Sequence, residues 1–189
     1  MSAGDTAGTG AYSAAPDRAA EVAFSERLQR CIEQRRADGQ SLAVLLLNCG
    51  VIGRADALWG YHIGDAVRAR IVASLRSEVL RPDDFAAELG RDDLACVLSV
   101  VEGPQLALLA AEKSLRTMSA PMFLGEEEIY ASPSVGVALF PATADSAESL
   151  LQQARSACNQ ARELRGRIAL YEEGQISRTP QLKIGRAHV

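Results

Sequence analysis

Residues 88–98, ELGRDDLACVL, gather a glycine, an arginine and two adjacent acids between two apolar segments, DFAAEL before and LACVLSV after. Two carboxylates at the tip of a tight turn, Asp92 and Asp93, can hold a divalent cation, because hard cations take carboxylate oxygens. A cation so held can bring a phosphate with it, and Gly90 lets the turn backbone approach such a group closely. The chemistry on offer is therefore metal-assisted work on a phosphate.

Positioning that turn requires a hairpin, and the apolar–turn–apolar pattern predicts one. LAVLLL at 42–47 is a continuous apolar run, which predicts a strand buried on both faces. Helical spacing places Phe24, Leu28, Cys31 and Ile32 on one face of a helix ending near Gly39. Val67, Ile71, Leu75 and Val79 recur every fourth residue, so 64–80 reads as a helix with a charged outer side. Pro104 suits the first turn of a helix over 104–120. Residues 122–140 read as a further pair of strands, with GEEE at 125–128 as a solvated turn. Leu150, Leu151, Ala154, Ala157, Cys158 and Ala161 make one apolar stripe, and IALY at 168–171 reads as a last strand. Helices alternating with single strands and hairpins predict an α/β (α+β) sandwich, a mixed central sheet of about five strands flanked by helices.

Composition narrows the function classes. A net charge of −4, aromatics at 5% and no Lys/Arg stripe argue against a DNA or RNA backbone as partner. Two histidines, and four cysteines without C-x-x-C spacing, argue against zinc. Cys31, Cys49, Cys96 and Cys158 read as buried, reduced thiols of a cytoplasmic protein. No apolar run reaches the ~18 residues of a membrane span, and the N-terminus lacks signal-peptide regions. Residues 1–18 are small and polar, as a disordered leader or linker would be. The domain is expected over 19–174 and a tail over 175–189. The last six residues, IGRAHV, resemble an in-frame sequencing adapter, which implies a natural chain cut short.

Three segments together resemble the GGDEF family, the diguanylate cyclases and their inactive relatives. LLLNCGVIGRADALWGYHIGDAV matches the family's L-L-D-x-D-x-F-K-x-I-N-D-x-x-G-H-x-x-G-D without a gap. LRPDDFAAELGRDDLACVLS matches R-x-x-D, five residues, then the G-G-D-E-F turn and its strand. PSVGVALFPATADSAESLLQQARSACNQARELRGRIALYEEG matches S-I-G-I-A, an acidic spacer and the helix ending A-K-x-x-G-R-N. The resemblance implies the nucleotidyl-cyclase-like GGDEF fold and, in active members, joining of two GTP into cyclic di-GMP. Two divalent cations would stabilise attack of a 3′-hydroxyl on an α-phosphate.

Carried over by position, the family's metal-binding Asp falls on Asn48 and its second acid on Gly50. The Phe-Lys pair becomes Ile52-Gly53, which removes a lysine from the phosphate side. The two guanine-reading residues correspond to Asp56, in place of Asn, and Asp65. G-G-D-E-F becomes Gly90-Arg91-Asp92-Asp93-Leu94, leaving Asp92 and Asp93 as vestigial catalytic acids. Asp92 with Asn48 makes a weakened or lost metal pair. Arg91 stands where backbone would meet the phosphates, in a conformation expected to suit only glycine. Arg162 aligns with the helix-end Lys, and the next phosphate-binding Arg is Arg165 or Arg167. Arg81 and Asp84 fit the R-x-x-D of the family's cyclic di-GMP inhibitory site, where Arg81 could equally cap a helix and Asp84 start a strand. A further Arg of that site is here Glu88. Trp59 and Tyr61 read as loop packing and His62 as a surface residue. The family's N-terminal D-x-L-T-x-L-x-N-R is not present.

The resemblance implies a degenerate GGDEF domain of a bacterial cyclic di-GMP signalling protein. It would act as a regulatory, nucleotide-binding or dimerisation module ahead of an EAL phosphodiesterase domain. The alternative is an active diguanylate cyclase. Mg²⁺ is the implied cofactor if nucleotide chemistry remains, with none otherwise. The implied partners are GTP or cyclic di-GMP, a second copy, or an adjacent signalling domain.

Overall fold

A computed structural model describes residues 18–172 together with Ser177 and Arg178. Of the leader expected over 1–18, residues 1–17 lie outside the described residues, as do the adapter-like end and most of the tail, and Arg18 begins the first helix. In chain order the elements are α1 (Arg18–Asp38), β1 (Ser41–Asn48), α2 (Ile52–Trp59), α3 (Tyr61–Glu78), β2 (Phe85–Glu88) and β3 (Asp93–Val101). They continue with α4 (Pro104–Ser119), β4 (Met122–Leu124), β5 (Glu127–Ile129), β6 (Ser134–Phe140), α5 (Ala147–Ala161), β7 (Ile168–Leu170) and β8 (Ser177–Arg178).

The central sheet runs β2-β3-β1-β6-β7-β8, with β8 a two-residue edge. Its pairs are antiparallel except β6 with β7, so the sheet is mixed as expected. β1 is central and buried on both faces, and its side chains alternate between two cores. Ala43, Leu45 and Leu47 join Val67, Ile71, Leu75, Ala107 and Ala111 on the α3–α4 side. Leu42, Val44 and Leu46 join Phe24, Leu28, Leu150 and Ala154 on the α1–α5 side. Each fully buried leucine contributes about 1.5–3 kcal/mol of transfer free energy. The α5 stripe is buried at all six positions read from the sequence.

Two local differences have physical causes. Residues 52–59, where the sequence pattern predicts no helix or strand, form α2, a short helix with no capping side chain at Val51. The segment 122–140 holds three strands, because β4 and β5 close a small hairpin with Gly125 at its turn, φ +66°. The acidic stretch expected to be a solvated turn spans that hairpin's tip, and Glu126, Glu127 and Glu128 are exposed.

Candidate nucleotide site

The site is built where the β2–β3 turn meets the end of β1. Strand pairing sets Glu88 opposite Leu94, and the Leu89 amide donates to the Asp93 carbonyl at 2.9 Å, closing the turn over residues 89–92. On the other side, register places Asn48 of β1 directly opposite Asp93 of β3. Asn48 Nδ2 donates to Asp93 Oδ1 at 2.7 Å. The amide thus presents a hydrogen, not a lone pair, to the acid beside it.

Asp92 faces the start of α2. Its Oδ1 accepts from the Val51 and Ile52 amides at 3.2 and 2.8 Å, and its Oδ2 from the Gly53 amide at 3.2 Å. The first N–H groups of a helix have no partner within it. Val51 cannot cap them, so a carboxylate about forty residues downstream does. Its charge also lies favourably at the positive end of the helix. The Asp92 carbonyl accepts from the Cys49 amide at 2.8 Å, which holds the turn against β1. Gly50, in the position of the second family acid, adopts φ +64°, and a Cβ there would lie 2.6 Å from the Ser132 carbonyl oxygen. The close approach of the 132–133 loop therefore requires glycine at that position.

Arg91 departs from its expected role. Its backbone does not occupy the left-handed region, since Arg167 is the only non-glycine residue with positive φ among the described residues. The expected glycine-only conformation is not present, so no backbone conflict arises. The side chain turns away from the hairpin toward α2 and α3. Its Nε and Nη2 take the two carboxylate oxygens of Asp56 in a fork. Nη1 donates to Asp65 Oδ1 at 2.6 Å, and Nη2 to the Tyr61 carbonyl at 3.4 Å. The guanidinium carbon lies 5.5 Å from the centre of the Tyr61 ring, within cation–π range. Asp56 is only 10% exposed and Asp65 is 66% exposed. Hydrogen bonding from Arg91 holds the Asp65 carboxyl below the usual aspartate range. Asp56 and Asp65 in turn raise the guanidinium further above its ordinary range, against the opposing effect of burial. The arrangement depends on Gly64, where a Cβ would fall 1.8 Å from Asp56 Oδ1.

Beside this cluster lies a cavity of about 840 Å³, whose lining includes Asp56, Tyr61 and Arg91 together with the apolar side chains of Val72, Leu75, Leu94 and Cys96. Arg68 on its wall pairs with Glu88 at 2.8 Å. Trp59 is 37% exposed at the end of α2, and His62 is also on the surface.

The remaining expected residues lie elsewhere. Arg81 and Asp84 flank the turn before β2. Both Asp84 oxygens accept backbone donors, from Ser99 at 2.8 Å and Arg81 at 2.9 Å, and its side chain is 2% exposed. The Arg81 side chain is exposed and donates to the Val100 carbonyl at 3.1 Å. Arg162 is the C-cap of α5 and Arg165 is exposed. Arg167 donates to the carbonyls of Pro133 and Ser132 at 2.6 and 2.8 Å, so its guanidinium ties down the loop before β6. Cys49, Cys96 and Cys158 are buried, whereas Cys31, expected to be buried, is partly exposed on α1. Burial pushes the thiols of Cys49 and Cys96 up to about 12, which suits inert packing rather than nucleophilic chemistry. Among the described residues, no three or more His, Cys, Asp or Glu side chains converge as a metal site, and no helix is long and apolar enough to cross a membrane.

A mixed sheet between helix layers, with an acidic hairpin turn beside the end of the central strand, defines a nucleotidyl-cyclase-like domain. Residues 19–167 match the family described as "Diguanylate cyclase, GGDEF domain", and the chain belongs to that family. It is 28% identical over 140 residues to MucR, a bifunctional diguanylate cyclase/cyclic di-GMP phosphodiesterase of Pseudomonas aeruginosa, spanning 74% of this chain and 20% of MucR. It is 31% identical to the diguanylate cyclase TpbB of the same organism, spanning 69% of this chain and 30% of TpbB. The crystal structure of the TpbB GGDEF domain superposes with a TM-score of 0.75 at 30% identity, covering 80% of this chain and 94% of that one. The chain therefore spans less than a third of the curated relatives it matches.

Proposed function

We propose that this chain is a non-cyclising, regulatory GGDEF domain of a cyclic di-GMP signalling protein, acting by pairing with a second copy or an adjacent signalling domain. One observation carries the reading. Each charged group at the turn has partners within the chain: Asp93 the Asn48 amide, Asp92 the α2 amides, and Arg91 the carboxylates of Asp56 and Asp65.

The donor set does not fit Mg²⁺, which wants near-octahedral oxygen ligands from carboxylates and water. Asn48 supplies no charge, Asp93 already accepts the Asn48 amide, and Asp92 already accepts three backbone hydrogens. The engagement of both Asp84 oxygens by backbone amides supports a structural turn at 81–84 over a cyclic di-GMP site.

The test is turnover. Purified protein incubated with GTP and Mg²⁺ or Mn²⁺ is expected to form no cyclic di-GMP. Product formed at a rate proportional to protein concentration would reject the reading and restore the active-cyclase alternative. Asn48→Asp combined with Arg91→Gly is expected to remain inactive as well, since Gly50, Gly53 and Asp56 still differ from the family pattern.

A further inference from the structure

We propose that Arg91 is a built-in occupant of the seat formed by Asp56, Asp65 and the Tyr61 carbonyl beside the cavity, and that its guanidinium excludes a guanine ring from the two acids. The inference rests on reading this cavity as the domain's nucleotide pocket. It goes beyond the loss of turnover by naming the residue that decides what may enter.

The geometry is that of a filled seat. A guanidinium presents five N–H donors in a plane and no acceptor. Here the plane meets both oxygens of Asp56, one oxygen of Asp65 and the Tyr61 carbonyl. The Tyr61 ring stands 5.5 Å from the guanidinium carbon. These contacts converge from α2, α3 and the helix junction on one side chain that reaches over from the β2–β3 turn. Gly64 leaves the space in which the Asp56–Arg91 pair sits.

The seat also suits guanine poorly. A guanine edge carries donors at N1 and N2 beside an acceptor at O6. Two carboxylates can take the donors, but neither offers a hydrogen to O6, and an ionised Asp56 repels that oxygen. An incoming ring would also have to displace a charge-assisted, bidentate pair, among the strongest of side-chain hydrogen-bond arrangements. The same cavity is also lined by the apolar side chains of Val72, Leu75 and Leu94.

Binding and thermal-shift measurements on the full chain test this, with chelator present to keep metal out of the comparison. Calorimetry with GTP is expected to be silent for the wild-type chain. Arg91→Ala with Asp56→Asn empties the seat and supplies an amide donor, and should bind GTP at least tenfold more tightly than wild type. Arg91→Ala alone should melt lower than wild type. Millimolar ethylguanidinium should raise that melting temperature, whereas ethylammonium, a cation without the planar fork, should not. If Arg91→Ala does not fold, Arg91→Gln takes its place in the rescue.

A gain of less than tenfold in the double variant, or equal effects of the two cations, overturns the proposal. GTP binding to the wild-type chain without turnover also overturns it while leaving the non-cyclising reading intact. Cyclic di-GMP formation by wild type would sink both.

Discussion

Asp92 is the residue on which the two readings of the hairpin turn diverge most sharply. As a metal ligand, its loss would matter only when a cation is bound. As the cap of α2, its loss should weaken the free protein. Its carboxylate accepts three amide hydrogens at 2.8–3.2 Å at the start of a helix whose own cap residue, Val51, supplies no side-chain acceptor. Removing a capping side chain typically costs about 0.5–2 kcal/mol. The lost charge at the helix N-terminus adds about 0.3–1 kcal/mol. Asp92→Ala should therefore lose roughly 2 kcal/mol, which at this size corresponds to a fall in Tm of about 4–8 °C. Asp92→Asn keeps one acceptor oxygen and should lose about half as much. Urea unfolding is the direct assay, and the midpoint should move while the slope stays constant. Adding Mg²⁺ should change neither wild type nor variant. A loss under about 0.5 kcal/mol for Asp92→Ala, the range of an ordinary surface substitution, would refute the capping argument. So would a Mg²⁺-dependent rise in Tm that requires Asp92.

Asn48→Asp should destabilise the metal-free protein by about 1–3 kcal/mol, because it replaces a 2.7 Å hydrogen bond to Asp93 with two facing carboxylates; a chemical-denaturation curve with and without Mg²⁺ checks this, and only the variant should respond to the cation. The lowered carboxyl of Asp65 implies an acid dependence: its contribution is complete above the ordinary aspartate value of about 3.9 and is lost as pH falls through the native value. Melting temperature should therefore fall less steeply below pH 4 in Asp65→Asn than in wild type, and parallel curves would contradict the ion pair. Thiol titration at pH 8 should find Cys31 reacting quickly and Cys49, Cys96 and Cys158 reacting only on unfolding; fast labelling of all four would contradict their burial.

The parts of this domain that could be read from the sequence are those set by short-range periodicity. The apolar run of β1, the stripe of α5 and the turn between β2 and β3 each place their own signal within a dozen residues. α2 escaped that reading because its cap is not local: Asp92 supplies what Val51 cannot, and no window around residue 52 contains it. β4 and β5 have three residues each, too short for alternation to separate them from the turn between them. The resemblance located Asp56, Asp65 and Arg91 in one site. Which groups would touch could not be read, since the pairs are 35 and 26 residues apart. One signal was available in hindsight. Asp65 has Arg68 three residues on, but Asp56 has no cation three or four residues away on its helix, so it calls for a partner from elsewhere, and Arg91 is the unexpected cation of the turn.

The substitutions that separate this turn from the family pattern form a coherent electrostatic set. An aspartate at 48 would set two carboxylates side by side at the end of β1, which an external cation would have to neutralise; Asn48 removes that need by donating to Asp93. Asp56 in place of the family Asn creates a second cluster of negative charge with Asp65, and Arg91 in place of glycine pairs with both acids from within the chain. Asp56 without Arg91 would leave a largely buried carboxylate without its ion-pair partner, at a cost of several kcal/mol. Together these substitutions yield a turn in which each acid has a hydrogen-bond partner within the chain. The corner is held by its own side chains and backbone amides.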